Sequence, residues 1–178
     1  MKVGILALQG SFAEHGDVLD LLDIEYVWVR SLPDLAGITH LIIPGGESGT
    51  MEKLLKEFKM SEEILLRSNP REGEDLKIFG TCAGAILCQK FGADITIDRN
   101  AYGAQQESFT TDLTSPKFNN LKGVFIRAPR IEKVGKNVTV LASYEKEPVL
   151  VEDRSFLIGT FHPEILAETR IHEYFLGR

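Results

Sequence analysis

The sequence predicts an α/β fold of three layers, in which helices flank a mixed but mostly parallel sheet. In the first half, short apolar runs of strand length alternate with helical patterns, which is typical of parallel strands covered by helices. After residue 93, short β-like runs separated by turn residues indicate further strands that are partly antiparallel. With 178 residues, of which 43% are hydrophobic, the chain is long enough for one good core, so we expect a single domain over residues 1–178.

The first half of the chain supplies most of the predicted parallel sheet. A continuous apolar run over 3–8 predicts a strand buried on both faces, and Ser11 is a candidate cap for a helix over 12–22. His15 and Asp17 are expected on the solvent-facing side of this helix. The next predicted elements are strands over 25–29 and 40–43, a loop or short helical turn over 31–35, and helices over 50–58 and 61–68.

The second half is predicted to complete the sheet and to close with a helix. A short apolar strand from Lys77 runs into a tight turn of small residues and then into a helix. Later strands are expected over 95–97, 108–111, 124–127, 138–142, 149–151 and 156–160, and the last helix over 168–176. We expect these strands to extend the parallel sheet or to form a small adjoining sheet.

The charge and the cysteine content exclude several classes of function. The net charge is -6 and the basic residues are not clustered, which argues against nucleic acid as a partner. The apolar run at the N-terminus ends at Gln9, which makes it too short for a signal peptide or a membrane span. Cys82 and Cys88, six positions apart on one predicted helix, are poorly placed for a disulfide and lack the second pair typical of a zinc site. We therefore expect a protein of the reducing cytoplasm, with no membrane partner and no metal.

The stretch Gly80-Thr81-Cys82-Ala83-Gly84 follows a short apolar strand and opens a helix. Its G-x-C-x-G pattern is the thiol counterpart of the G-x-S-x-G nucleophile elbow, in which a strained turn lifts the nucleophile above a sheet. Side chains at Gly80 or Gly84 would crowd such a turn, and the positive end of the helix would stabilise a thiolate. Cys82 is thus a candidate nucleophile, and the alternative is a buried structural cysteine in a glycine-rich turn.

A second glycine-rich stretch, Pro44-Gly45-Gly46-Glu47-Ser48-Gly49, follows the third predicted strand. Ligands bind beyond the carboxyl ends of parallel strands, so this loop is expected to face the same crevice as Cys82. Backbone N–H groups at such glycines can converge on an oxygen atom and form an oxyanion hole. The alternative is a tight connection without a catalytic role, and the spacing of a phosphate-binding loop is absent.

The last predicted strand ends in Thr160-Phe161-His162-Pro163-Glu164. Histidine can take a proton from a thiol and later protonate a leaving amine, and Glu164 can hold its ring. The i, i+2 spacing predicts both side chains on one side of an extended segment, with Pro163 fixing the backbone between them. The alternative is a structural His162. The remaining histidines, which are His15, His40 and His172, are interpreted as structural or solvated.

Together these motifs resemble the triad-type, or class I, glutamine amidotransferases and, more closely, the glutaminase subunit of pyridoxal 5′-phosphate synthase. Four further stretches carry the resemblance, namely Gly4-Ile5-Leu6-Ala7-Leu8-Gln9-Gly10, Pro44-Gly45-Gly46-Glu47-Ser48, Arg99-Asn100-Ala101-Tyr102-Gly103 and Phe125-Ile126-Arg127-Ala128-Pro129. The resemblance covers nearly the whole chain. It implies a flavodoxin-like fold and no cofactor.

The resemblance also implies a chemistry. Cys82 attacks the side-chain amide of L-glutamine, His162 moves the protons with Glu164 behind it, and a γ-glutamyl thioester forms before water releases glutamate. Similarity assigns substrate binding to Gly46, Glu47, Ser48, Arg99, Ile126 and Arg127, and oxyanion or activation roles to Gly45, Gly46, Gln9 and Ala83. A guanidinium matches the α-carboxylate of an amino acid substrate. Without the resemblance, both arginines would be interpreted as solvated surface residues.

The released ammonia implies a partner, because free ammonia is wasted unless it is consumed nearby. In the family this partner is a separate (β/α)₈-barrel synthase subunit, which forms a hetero-oligomeric complex with the glutaminase and switches it on. We hypothesise that Gln9 couples docking of the partner to ordering of the Gly45-Gly46 loop.

Two departures from the family pattern are visible. Ala104 stands where the family usually has arginine, and Gly49 where it usually has threonine. The contacts that the family arginine makes are not expected at Ala104, and Gly49 is expected to loosen the start of the following helix.

Two other functions stay open at this point. The first is a stand-alone cysteine hydrolase or a chaperone-like relative, although such proteins often place histidine directly after the cysteine, where this chain has Ala83. The second is a catalytically idle regulatory subunit, which the presence of Cys82, His162 and Glu164 argues against.

Overall fold

The computed structural model describes residues 1–69, 75–99 and 108–177, and its centre is a seven-stranded sheet. In spatial order the strands are β2 (Tyr26–Val29), β1 (Val3–Leu6), β3 (His40–Ile43), β4 (Lys77–Thr81), β11 (Phe156–Gly159), β10 (Glu147–Glu152) and β9 (Thr139–Tyr144). The first five are parallel, whereas β10 pairs antiparallel with β11 and with β9. The mixed, mostly parallel sheet that the sequence predicts is confirmed.

Helices cover both faces of this sheet. They are α1 (Phe12–Leu21) and α5 (Thr169–Leu176) on one face, and α2 (Ser48–Glu57), α3 (Met60–Ser68) and α4 (Ala83–Lys90) on the other. Two apolar cores lie between the layers, and β4 contributes to both. Phe79 packs with Leu19 of α1 and Phe175 of α5, whereas its neighbour Ile78 packs with Met51 of α2. Successive side chains of a strand point to opposite faces, which explains why the adjacent residues Ile78 and Phe79 of β4 are both apolar and buried.

Two small antiparallel sheets adjoin the main one. The strands β5 (Ile95–Asp98) and β8 (Arg130–Val134) form the first, and β6 (Phe109–Asp112) and β7 (Lys122–Phe125) form the second. Strand β8 is absent from the sequence prediction, because Ile131 is its only fully buried residue and three of the other four side chains are charged. A strand with so weak an apolar pattern is defined by its pairing with β5 rather than by its own sequence.

Helix α2 begins at Ser48, two residues before its predicted start, because Glu47 caps it. The Glu47 carboxylate accepts hydrogen bonds from the N–H groups of Gly49 and Thr50, at 3.4 and 2.8 Å. The bonds from Thr50 and Gly49 lower the pKa of Glu47, and the cap supports the turn in which Gly49 lies. The bounds of the other predicted elements agree with the structure to within two residues.

The parallel strands end at one edge of the sheet, and this edge collects the candidate site residues. Strand β1 lies between β2 and β3, so the direction in which strands are added reverses between β1 and β3. Ligands of such sheets bind beyond the carboxyl ends of the strands, at this switch point. Gln9 follows β1, Gly45 follows β3, Cys82 follows β4 and His162 follows β11. Within the described ranges, no helix combines the length and the apolar composition needed to cross a bilayer.

Candidate active site

Cys82 lies at the apex of the turn between β4 and α4. Its φ of 48° and ψ of -107° are unusual for a residue with a side chain, and backbone strain of this kind is typical of a nucleophile elbow. Its N–H donates to the carbonyl of Gly159 in β11 at 2.9 Å, and its carbonyl accepts from the N–H of Ala85 at 3.1 Å. Cys82 is 6% exposed and lines a cleft, so its thiol is accessible to a small molecule.

The two glycines that flank Cys82 permit contacts that a methyl group would prevent. A Cβ atom on Gly84 would lie 2.1 Å from the carbonyl oxygen of Ile43, at the end of β3. A Cβ atom on Gly80 would lie 2.5 Å from Sγ of Cys88, a buried thiol whose pKa is raised by burial. The prediction that both positions need a small residue is confirmed.

His162 and Glu164 follow β11 and form a buried, hydrogen-bonded pair. Nδ1 of His162 lies 2.7 Å from Oε1 of Glu164. The interpretation of an extended segment is wrong, because Pro163–Leu166 form a 3₁₀ turn. The fixed φ of proline suits the first position of a helical turn, and this turn brings Glu164 back to the ring of His162.

Gly45 brings the loop between β3 and α2 into contact with Cys82 and His162. A Cβ atom on Gly45 would lie 2.4 Å from Cε1 of His162 and 3.2 Å from Cβ of Cys82. Cys82 and His162 thus both lie against Gly45, and Sγ of Cys82 donates to the carbonyl oxygen of Ile126 at 3.7 Å. The three candidate catalytic residues therefore form a line from thiol through imidazole to carboxylate.

The charges in this line favour a protonated imidazole. Burial alone would lower the pKa of His162, but hydrogen bonds to Cys82 and Glu164 and the charge of Glu164 raise it to about 10. Burial would raise the pKa of Glu164, whereas the histidines beside it lower it below its ordinary value. One of them, His15, is kept neutral by burial, which lowers its pKa. The cation that pairs with Glu164 is therefore His162, a state suited to proton transfer.

The loop of Gly45 and Gly46 is held by the residues that follow β1. The carbonyl of Gly45 accepts a hydrogen bond from the N–H of Ser11 at 3.0 Å. Oε1 of Gln9 accepts a hydrogen bond from the N–H of Glu47 at 2.8 Å. A Cβ atom on Gly46 would lie 2.5 Å from the same oxygen. Gln9 is thus in direct contact with the glycine loop.

Two hollows meet at Cys82. The first has a volume of ≈ 260 Å³ and is lined by Gly46, Glu47, Ser48, Cys82, Ala83, Ile86, Arg99, Arg127 and Pro129. The second has a volume of ≈ 240 Å³ and is lined by Gly10, Ser11, Gly45, Gly46, Cys82, Ile126, Arg127 and His162. Every residue to which the family resemblance assigns substrate binding lines one of these hollows.

Two arginines determine the charge of the first hollow. Nη2 of Arg99 donates to Oγ of Ser48 at 2.6 Å, which places its guanidinium beside the start of α2. Arg127 lines both hollows and has a φ of 46°. Since the carboxylate of Glu47 is engaged in capping α2, the two guanidinium groups give the hollow a positive charge that suits a carboxylate ligand.

Two side chains at the start of α1 differ from the sequence prediction, namely Ser11, which precedes the helix, and His15 within it. Oγ of Ser11 donates to Oε1 of Glu164 at 2.8 Å and makes no cap hydrogen bond. His15 is fully buried, so its predicted place on the solvent-facing side is wrong, whereas Asp17 is exposed as predicted. The spacing of His15 from Leu19, at i+4, is that of one helix face, and this pattern was the signal for its burial.

One predicted motif lies mostly outside the described residues. Only Arg99 of the stretch Arg99-Asn100-Ala101-Tyr102-Gly103 is described, and the departure at Ala104 is likewise outside. The predicted role of Arg99 can therefore be compared with the structure, whereas the departure at Ala104 cannot.

Comparison with known families and sequences gives a consistent result. The chain matches the model of the SNO glutamine amidotransferase family over residues 5–178. It is 44% identical to the pyridoxal 5'-phosphate synthase subunit PdxT of Thermotoga petrophila, over 188 aligned positions that cover 99% of this chain and 98% of the relative. The protein of the same name from Solibacter usitatus is 43% identical over 194 positions, with coverage of 99% and 98%.

Comparison with solved structures supports the same fold. A crystal structure described as a glutamine amidotransferase has a TM-score of 0.90 at 41% identity and covers 99% of this chain and 98% of its own. The structure of PurLQS from Thermotoga maritima has a TM-score of 0.77 at 17% identity, with coverage of 99% and 97%, and this likeness concerns the fold alone. The three-layer fold predicted from the sequence is thus confirmed.

Proposed function

The chain belongs to the SNO glutamine amidotransferase family, and on this basis we propose that it is the glutaminase subunit of a pyridoxal 5′-phosphate synthase, hydrolysing L-glutamine to L-glutamate and ammonia. Relatives at 43% and 44% identity carry the name of such a subunit. The observation that carries the proposal is the arrangement of Cys82 and His162 against Gly45, with the ring of His162 hydrogen-bonded to Glu164, beside a cleft. A thiol, an imidazole and a carboxylate in this order are the parts of a nucleophilic hydrolase. In this proposal, residues 1–178 form one glutaminase domain.

The first half-reaction transfers the γ-glutamyl group to Cys82. The protonated His162 holds the proton that it has taken from the thiol, and Sγ attacks the side-chain carbonyl carbon of glutamine as the thiolate. His162 then gives this proton to the amide nitrogen, the C–N bond breaks, and ammonia leaves a γ-glutamyl thioester on Cys82. Glu164 stays ionised and stabilises the imidazolium form of His162 through the 2.7 Å contact.

The second half-reaction hydrolyses the thioester with the same residues. Water attacks the thioester carbonyl carbon and gives a proton to His162. The C–S bond then breaks, glutamate is released, and Sγ recovers the proton from the imidazolium. The ring of His162, which Glu164 holds through Nδ1, thus acts as an acid toward the leaving amine and as a base toward the attacking water.

Backbone N–H groups of Gly46 and Ala83 are the proposed oxyanion hole. The N–H of Ala83 lies in the first turn of α4, where N–H groups have no partner within the helix and the helix dipole is positive. Gly46 lines the same hollow as Cys82, and the lack of a side chain on Gly45 allows the loop to approach. Donors placed in this way stabilise the oxyanion of the tetrahedral intermediate.

The positive side of the cleft is the proposed site for the α-carboxylate of glutamine. Arg99 and Arg127 supply guanidinium groups there. Arg99 donates a hydrogen bond to the hydroxyl of Ser48, which lines the first hollow together with Gly46 and Glu47. The carbonyl of Ile126, 3.7 Å from Sγ of Cys82, would accept a hydrogen bond from the amide nitrogen of the bound substrate. These contacts would direct the side-chain amide of the bound glutamine toward Cys82.

A separate (β/α)₈-barrel synthase subunit is the proposed consumer of the ammonia, in a hetero-oligomeric complex with this chain. The names of the relatives support this assignment, since each is called a synthase subunit. The proposed location is the cytoplasm, because Cys82 and Cys88 are free thiols that an oxidising compartment would endanger.

Glutamate release from L-glutamine tests the proposal. It is to be measured for the chain alone, for the chain mixed with a matching synthase subunit, and for the mixture after alkylation of Cys82 with iodoacetamide. We expect weak release from the chain alone, strong stimulation by the synthase and none after alkylation. Full activity without the partner would contradict control by docking, and the absence of glutamate from both unmodified samples would overturn the glutaminase assignment.

The substitution Gln9→Ala is expected to reduce the synthase-stimulated rate about three- to tenfold, because it removes the acceptor that holds the N–H of Glu47 beside the glycine loop. The stimulated rate and the affinity for the synthase are to be measured separately. Gln89→Ala is a matched control, since Oε1 of Gln89 also accepts one backbone hydrogen bond, from Ile97, outside the cleft. An unchanged stimulated rate in Gln9→Ala would show that other contacts order the loop.

A further inference from the structure

A second pair of histidines, which the proposed mechanism does not use, lies behind Glu164. His15 of α1 and His172 of α5 are both 0% exposed. Nδ1 of His15 lies 2.8 Å from Nε2 of His172, and Nε2 of His15 lies 3.0 Å from Oγ1 of Thr81. The same Nε2 atom is 3.6 Å from Oε2 of Glu164. Since Thr81 directly precedes Cys82, His15 lies between the strand that carries the nucleophile and the carboxylate that orients the base.

The neighbours of the two rings determine which nitrogen carries a proton. Nδ1 of His172 lies 3.4 Å from the carbonyl oxygen of Glu168, which can only accept, so Nδ1 is the donor. In a neutral ring, Nε2 of His172 is then an acceptor for the Nδ1 proton of His15. A neutral His15 therefore presents an unprotonated Nε2, which accepts from the hydroxyl of Thr81. Burial favours this neutral state and lowers the pKa of both histidines.

The two oxygens of Glu164 are consequently in different surroundings. Oε1 accepts hydrogen bonds from Nδ1 of His162 at 2.7 Å and from Oγ of Ser11 at 2.8 Å. Oε2 is buried and has no hydrogen-bond donor among the described residues. The Nε2 atom of His15 faces Oε2 with a lone pair rather than a proton. Because a buried charge without donors is costly, the carboxylate depends on its contact with the protonated His162.

We propose that His15 is a positioning residue of the triad. His172 holds it as a neutral acceptor behind Glu164, so that it offers no donor to Oε2. The bond between Glu164 and the protonated His162 is therefore stronger. This inference rests on the proposed function. The titratable groups that face His15 are Glu164, His162 and His172 from neighbouring elements and Glu14 from its own helix. A proton donor in place of Nε2 would stabilise Glu164 independently of His162, and His162 would then lose its proton at lower pH.

The substitution His15→Gln tests this role, because a glutamine amide can donate N–H to Oε2 of Glu164 while its oxygen accepts from Thr81. The readout is the downfield proton resonance of Nδ1–H of His162, assigned by its absence from His162→Gln. Nδ1–H stays bonded to Glu164 when the imidazolium gives up its Nε2 proton, so this resonance shifts as the ring titrates. We expect the midpoint of the shift to fall by about one pH unit, which corresponds to about a tenfold lower proton affinity of the ring. The alkaline limb of kcat should move in the same direction, with KM within about twofold, since His15 lines neither hollow.

A matched control is His40→Gln, which removes another buried histidine. His40 contacts Phe175 of α5, at a ring-centroid distance of 5.3 Å, but lies at the start of β3, away from Glu164. We expect the titration of His162 to be unchanged in this variant. His172→Gln is a second test variant, because it removes the ring that fixes the tautomer of His15, and it should shift the titration in the same direction as His15→Gln.

Three results would overturn the inference. The first is an unshifted titration of His162 in folded His15→Gln, and the second is an unshifted titration in folded His172→Gln. The third is a set of ¹⁵N chemical shifts that show a proton on Nε2 of His15 at neutral pH. This measurement uses the unsubstituted chain and so does not depend on the folding of a variant. If the wild-type complex releases glutamate, any of these results refutes only the role of His15. If that complex releases no glutamate, the proposed function itself is refuted.

Discussion

Replacing Cys82 by alanine is expected to lower synthase-stimulated glutamate release by at least about 10³-fold, because no thioester can form without Sγ. His162 and Glu164 would keep their 2.7 Å contact, but they would have no thiol to deprotonate. The fold should be retained, since the substitution removes one atom at the edge of a cleft and leaves the φ of 48° to a residue of similar size. Glutamate release and thermal unfolding are to be measured on the same preparations.

Cys88→Ala is the matched control for the loss of a thiol. Cys88 lies on the same helix, is 0% exposed, and packs behind Gly80 rather than beside the cleft. We expect its removal to cost about 1 kcal/mol of stability and to leave the rate within about twofold. Activity that persists in Cys82→Ala would contradict the nucleophilic role, and an equal loss in Cys88→Ala would attribute the effect to α4 rather than to thiol chemistry.

The substitution Gly84→Ala is expected to cost about 3 kcal/mol or more of stability and most of the glutaminase activity. The added Cβ would lie 2.1 Å from the carbonyl oxygen of Ile43, which is a backbone atom and cannot turn away as a side chain could. Ile43 is paired in register with Gly80 of β4, so relief of the overlap must separate α4 from β3 or distort the sheet. Either movement displaces Cys82. Urea unfolding and glutamate release measure the two effects.

Gly49→Ala makes the same chemical change at the start of another helix. A Cβ atom there would meet Oε2 of Glu47 at 3.3 Å, an overlap that the carboxylate relieves by a shift of a few tenths of an ångström without leaving its capping position. We expect a gain of about 0.5–1 kcal/mol, because alanine is the better helix former and restricts the unfolded chain. If Gly84→Ala unfolded at the same urea concentration as the wild type, the steric requirement at the elbow would be refuted.

Much of the candidate site could be predicted because local patterns carry it. The requirement for glycine on both sides of Cys82 is contained within five residues, and Ile78 and Phe79 in the strand before it are both apolar because both faces of that strand are buried. His162 and Glu164 are two positions apart, so their contact was predicted correctly although the backbone between them was not.

Prediction was least successful where an element has no pattern of its own. Strand β8, with Ile131 as its one buried residue, exists through its pairing with β5. The error at His15 had a different origin, since a histidine in the apolar stripe of α1 was interpreted by its polarity rather than by its spacing. In both cases the prediction followed the polarity of the residues, whereas their position in the fold determined the structure.

The sequence by itself determined the parallel half of the sheet, the glycine loop, and the candidate nucleophile, base and carboxylate, since each depends on a short stretch of chain. Only the tertiary structure decided what surrounds Glu164. Ser11 is 153 positions from Glu164, and His15 is 157 positions from His172. Contacts over such distances depend on the packing of α1 and α5 against one face of the sheet, and no local pattern encodes how two helices that are far apart in the chain meet on it.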